Sequence, residues 1–182
     1  MKTFFKAVLT MAVLLALSCT QESVTDGTTE DLTATAVRAG KKVDRPIKNS
    51  IVSIDKLDGS PTTFTGNMSH LGKITGTVGT GIFDLNFVTG IGLFTSAPDE
   101  DIIYAANGDE LHTQSVLTFI FSEDFLSATY MGYFDFTEGS TGRFDGATGR
   151  MYINNGVYMS SEDENGNPID VYTHNAAGRI IY

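Results

Sequence analysis

Apolar and polar residues alternate with period two over much of the chain beyond Ile51, the pattern of strands that turn one face to a core. In "FTGNMSHLGKITGTV" the apolar phase is Phe64, Met68, Ile74 and Val78, and in "IFDLNFV" it is Phe83, Leu85 and Phe87. In "LHTQSVLTFIF" the odd positions give Leu111, Leu117, Phe119 and Phe121. In "LSATYMGYFDF" the even positions give Leu126, Ala128, Tyr130, Phe134 and Phe136. No segment of comparable length in this region has helical spacing. Asp58-Gly59, Asn107-Gly108, Asp145-Gly146, Asn155-Gly156 and Asn165-Gly166 are dipeptides favoured where a tight hairpin needs positive φ. About eight strands separated by such turns predict an all-β domain, a single antiparallel closed barrel, because closure removes exposed strand edges.

The amino terminus has a different grammar. Lys2 and Lys6 precede an apolar run from Ala7 to Leu17. That run is too short for a helix crossing ~30 Å of hydrocarbon, and it has the length and flanks of a secretory signal. Residues 1–18 are therefore expected to be a signal peptide, with Ala16-Leu17-Ser18 placing small residues before a cut ahead of Cys19. Cys19 is the only cysteine, so it has no disulfide partner within the chain. The stretch "LALSC" resembles the lipobox of bacterial lipoproteins, in which the first mature cysteine carries lipid. The resemblance implies lipidation of Cys19 and attachment to the bacterial outer membrane or cell surface. Residues 19–50 contain no aromatic residue and are rich in Thr, Ser and charge. Such a segment buries too little apolar surface to offset its ordering entropy, and it reads as a tether, although "LTATAV" could add an edge strand.

Residues 51–182 hold ten Phe, seven Tyr and seventeen Gly, and are long enough for one domain with a sizeable core. Their five basic residues stand against seventeen acidic ones. A nucleic-acid partner is therefore disfavoured, since phosphate backbones are bound through Lys and Arg. The glycine-rich stretch "GSTGRFDGATGRMYI" lacks the Lys and the following helix of a phosphate-binding loop. Its glycines are read as structural, with Asp145-Gly146 a turn or bulge and Phe144 its buried anchor.

The segment "TGRFDGATG" resembles the T-G-R-F-x-G-A-T-G segment of bacterial proteins related to the allene oxide cyclase barrel, a fold shared with plant dirigent proteins. "SHLGKITG" and "AANGDEL" fall at the matching earlier positions, so the resemblance spans about residues 51–160. It implies a calycin-like, eight-stranded antiparallel barrel with an internal cavity. The catalytic residues of the plant cyclases have no match here, and none is carried over.

Polar residues on an apolar phase are the candidates for chemistry. His70 shares its phase with Phe64, Met68 and Ile74, Thr113 and Ser115 share theirs with Leu111 and Leu117, and Tyr130 lies between Ala128 and Phe134. Lining a barrel interior, His70, Thr113, Ser115 and Tyr130 would be sparse polar points in an apolar pocket for a small molecule. The ordinary alternative for each is a core residue satisfied by a neighbour or a water. A polar interior would instead turn His112, Gln114 and Tyr133 inward. His70, His112 and His174 lack metal-ligand spacing, and "DENGNPID" has Pro168 where a calcium loop needs glycine, so neither a metal nor a cofactor is expected. There is no G-x-S-x-G frame for a nucleophilic serine. A module binding a small apolar or aromatic ligand is the expectation. An isomerase, cyclase or dirigent-like guide using His70 and Tyr130, and a structural or adhesive envelope protein, are the alternatives.

Overall fold

The computed structural model describes residues 42–182. Strands β1 (Asp44–Asp55), β2 (Thr63–Met68), β3 (Gly72–Thr77), β4 (Gly81–Asn86) and β5 (Ile91–Ser96) come first. They are followed by β6 (Asp101–Tyr104), β7 (Glu110–Phe121), β8 (Ser127–Phe136), β9 (Thr148–Glu162) and β10 (Pro168–Ile181). A 3-10 turn at Gly142–Phe144 joins β8 to β9. The expected signal peptide, Cys19 and most of the expected tether lie outside the described residues.

Every pairing is antiparallel, and eight strands close into a ring in the order β7-β6-β3-β2-β1-β10-β9-β8 and back to β7. The all-β barrel read from the alternation is thus the observed architecture, with two further strands. The β4–β5 hairpin prolongs the wall beyond β3 and β6: β5 pairs with Val116–Ile120 of β7, whereas β6 pairs with Glu110–Thr113 of the same strand. β4 pairs with β5 alone, so its other edge has no strand partner among the described residues.

One end of the barrel is filled. Ile47, Ile74, Leu111, Met151 and Ile180 are fully buried there, and the 3-10 turn inserts Phe144 among them at 1 % exposure. The ring of Phe144 meets Tyr182 edge to face at 5.4 Å. The glycines of "TGRFDGATG" serve this plug. Gly149 has φ +128°, and a Cβ there would run into the Arg179 carbonyl of β10. Only glycine meets both conditions without strain.

Three details depart from the sequence expectation. β1 begins at Asp44, seven residues before the expected start of the barrel at Ile51. Its inward positions are Ile47, Asn49, Ile51 and Ser53, and the two polar members hide the alternation. Second, "FTGNMSHLGKITGTV" is a hairpin, with Ser69-His70-Leu71 as its turn. The register Met68↔Gly72 and Phe64↔Gly76 keeps even-numbered residues on the inner face of both strands, so the phase runs through the turn unbroken. Third, Asn155-Gly156 makes no hairpin. β9 continues through it with a bulge, where the pairing with β10 shifts between Thr173 and Ala176. Gly156 is needed there because a Cβ would strike the Tyr130 ring.

Candidate functional site

The other end of the barrel is hollow. A cavity of about 560 Å³ lies between the β4–β5 hairpin and β1, β7, β8, β9 and β10. Its wall is built by the phases read from the sequence: Phe83 and Leu85 from β4, Phe87 from the β4–β5 turn, and Leu117, Phe119 and Phe121 from β7. Tyr130 and Phe134 of β8, Tyr158 of β9 and Tyr172 of β10 complete it. The rings hold one another in place. Phe119 stacks on Tyr130 at 5.0 Å, Tyr158 lies 5.2 Å from Tyr172, and Phe83 meets Phe119 edge to face at 5.9 Å. Such pairs add about 0.5–1.5 kcal/mol each beyond area burial, so the wall is stiff before any ligand arrives.

A polar layer separates this cavity from the filled end. At its centre is the buried carboxylate of Asp101, the first residue of β6. It accepts hydrogen bonds from Gly79 N at 2.8 Å, from Ser96 Oγ at 2.8 Å and from Ser115 Oγ. Ser96 Oγ in turn accepts from Ser115 N at 2.8 Å. The network pins the break between β3 and β4 beside the break between β5 and β6. That is the place where the β4–β5 hairpin departs from the ring. Asn49 Oδ1 accepts Ala176 N at 2.9 Å and satisfies the irregular stretch of β10. A smaller void of about 40 Å³ lies beside this layer, bordered by polar residues such as Ser53, Asp101 and Ser115 and by apolar ones such as Ile51, Ile103 and Met151.

The chemically distinct group at the cavity floor is His174. Only 8 % of it is exposed, and its ring stacks obliquely on Phe134 at 5.4 Å. Tyr130 Oη lies 2.9 Å from His174 Nδ1 and 3.3 Å from the Thr173 carbonyl. Either tautomer of the neutral ring makes the Nδ1 contact, as acceptor from the phenol or as donor to it. His174 Nε2 is buried with no hydrogen-bond partner. Burial keeps the ring neutral, pushing its pKa down to about 4. Burial also raises Tyr130 above the ordinary phenol range. A buried polar nitrogen left unpaired costs about 1–3 kcal/mol.

Of the four residues picked as candidates, three face inward. Tyr130 is in the cavity wall, Ser115 borders both the cavity and the polar layer, and Thr113 lines the small void. Ser115 gives its hydroxyl proton to Asp101, so its first role is to hold the hairpin break. His70 is the correction. It is exposed in the β2–β3 turn at φ +69°, with Nε2 3.0 Å from the Pro46 carbonyl, at the filled end and away from the cavity. The residue that pairs with Tyr130 is His174, forty-four positions along the chain. His112, Gln114 and Tyr133 point outward. His112 Nδ1 bonds the Asp99 carbonyl at 2.8 Å, Gln114 Nε2 donates to the Ser96 carbonyl at 2.9 Å, and Arg150 lies 3.7 Å above the Tyr133 ring.

Asp163, the first residue of the calcium-like stretch, accepts the backbone N–H groups of Asn165 at 2.8 Å and Asn167 at 2.9 Å within the β9–β10 turn. Comparisons with protein-family models, curated proteins and solved structures return no match.

Proposed function

We propose that the protein is a binding module whose barrel holds one small apolar or aromatic molecule. The observation that carries this reading is the open-ended aromatic cavity of about 560 Å³ with the buried Tyr130–His174 pair in its floor. The volume falls in the range of small-molecule sites, and the combination of apolar wall with few polar points is what such sites use for affinity and orientation. The resemblance of "TGRFDGATG" to allene oxide cyclase-like barrels agrees with a cavity protein. Cys19 and the preceding apolar run support a lipid-anchored protein of the bacterial cell envelope, with the barrel carried on the following segment.

The same geometry weighs against an isomerase or cyclase. A general base or acid works best with a pKa near the operating pH. Burial moves His174 down to about 4 and Tyr130 upward, so each holds its neutral form over the physiological range. The neutral pair is suited to positioning a ligand rather than to exchanging a proton with it.

The chain has no tryptophan, so an added fluorophore reports against a low background. The neutral dye N-phenyl-1-naphthylamine, titrated into the full chain, is expected to brighten saturably with one site. Leu117→Trp, which projects a larger ring into the cavity, is expected to weaken that binding at least tenfold with little change in melting temperature. Saturable binding that Leu117→Trp leaves untouched would place the site elsewhere and defeat this reading.

A further inference from the structure

The cavity is lined by two carboxylates and by no Lys or Arg. Asp55 ends β1 and Asp170 lies near the start of β10, and the two are directly opposed in the register of these strands. Like charges facing each other across an antiparallel pair are destabilising, so this placement asks for a reason. Neither carboxylate has an ion-pair partner among the described residues. Asp55 accepts the Leu57 N–H and the Thr62 hydroxyl, each at 2.9 Å, and Asp170 accepts the Tyr158 hydroxyl at 3.1 Å. These neutral donors orient the pair without cancelling its charge. Burial, with Asp55 adding repulsion, raises the pKa of Asp170, as expected of an acid held without a counter-ion.

The surroundings match what a cation needs. The rings of Tyr158 and Tyr172 line the cavity with the carboxylates, and Phe121 meets Tyr158 at 5.7 Å. Aromatic faces attract ammonium and guanidinium groups, more strongly where water is excluded. At the floor of the same cavity His174 is held neutral by burial, so the histidine adds no positive charge against a cationic head.

We infer that the ligand is a cationic amphiphile: an amine or quaternary ammonium head held by Asp55, Asp170 and the two tyrosines, with an apolar or aromatic body in the Phe-lined cavity. Fatty acids and other anionic lipids are rejected by the same pair. The inference rests on the cavity being a binding site.

The test displaces N-phenyl-1-naphthylamine from the full chain with three ligands that share one tail: decyltrimethylammonium, 1-decanol and decanoate. Decyltrimethylammonium is expected to bind at least tenfold tighter than decanol, and decanoate weakest of the three. In D55N/D170N the cation should lose most of that advantage, while the dye and decanol keep their affinities. Asn removes a charge repulsion and keeps the shape, and the three-ligand ranking in the unaltered protein stands independently of the variant. A dye that never binds overturns the cavity reading and this inference together. A dye that binds while decanoate equals or exceeds the cation, or a cation preference that survives D55N/D170N, overturns this inference alone.

Discussion

The two ends of the barrel are made from the same long strands, yet they solve opposite problems. At the filled end the inward positions carry Ile47, Leu111, Met151 and Ile180, and a 3-10 turn adds Phe144 as a plug. At the hollow end the inward positions carry Phe119, Phe121, Tyr158 and Tyr172, and the wall continues as a hairpin that pairs along one edge only. Aliphatic side chains of mixed size interdigitate and close space. Large flat rings that stack on one another at 5–6 Å stay against the wall and leave the middle empty. The filled end closes the core, and the hollow end joins buried rings such as Phe119 and Tyr130 to exposed ones at its rim. Phe87 of the β4–β5 turn illustrates the contrast, since it lines the cavity while 74 % exposed.

The largest effect is expected at the plug. Phe144→Ala removes a fully buried ring and should destabilise the fold by about 3–5 kcal/mol in urea unfolding. The folded fraction should keep its affinity for N-phenyl-1-naphthylamine. A small loss of stability would mean that the filled end does not carry the fold.

Next in size is the pH response of the layer between the ends. The folded pKa of His174 is about 4, below the ordinary histidine value. Between roughly pH 6.5 and 4 the unfolded chain takes up a proton that the folded protein refuses, so stability falls with pH by on the order of 3 kcal/mol and then levels off. Asp170, raised by burial, acts in the opposite direction over its own range. The difference between the unaltered protein and His174→Phe isolates the histidine, and in the variant this part of the acid loss should vanish. Identical pH profiles would show that His174 is not held neutral by burial.

Two smaller effects sharpen the contrast. Gly149→Ala, at positive φ against the β10 backbone, should destabilise by about 1–3 kcal/mol without altering dye affinity. Phe87→Ala should change stability by less than about 0.5 kcal/mol, as expected of an exposed side chain, yet weaken the dye severalfold. The reverse pattern in either variant would exchange the roles assigned to the two ends.

The hollow end was the more legible in sequence. The phases of "IFDLNFV", "LHTQSVLTFIF" and "LSATYMGYFDF" put Phe83, Leu117, Phe119 and Tyr130 on the wall where they are found. The site's histidine was not legible. In β10 the inward positions run Tyr172, His174, Ala176, Gly178 and Ile180, and the small residues flatten the apolar signal that would have marked His174 as inward. His70 had the stronger apparent phase because a hairpin turn preserved parity across it. In β1 the inward Asn49 and Ser53 interrupt the apolar phase. The opposition of Asp55 and Asp170 is a matter of register between strands that are far apart in sequence, so no local pattern contains it.

The central claim is that one end of this barrel is a ligand site and the other is not. A ¹H–¹⁵N and methyl NMR titration of the full chain with N-phenyl-1-naphthylamine tests it directly. Saturable shifts should gather at Leu85, Leu117, Phe121, Tyr172 and His174, while Ile47, Leu111, Met151 and Ile180 stay still. Shifts confined to the outer wall, at Ile82, Leu93 and Ile120, or spread evenly over both ends, would contradict it.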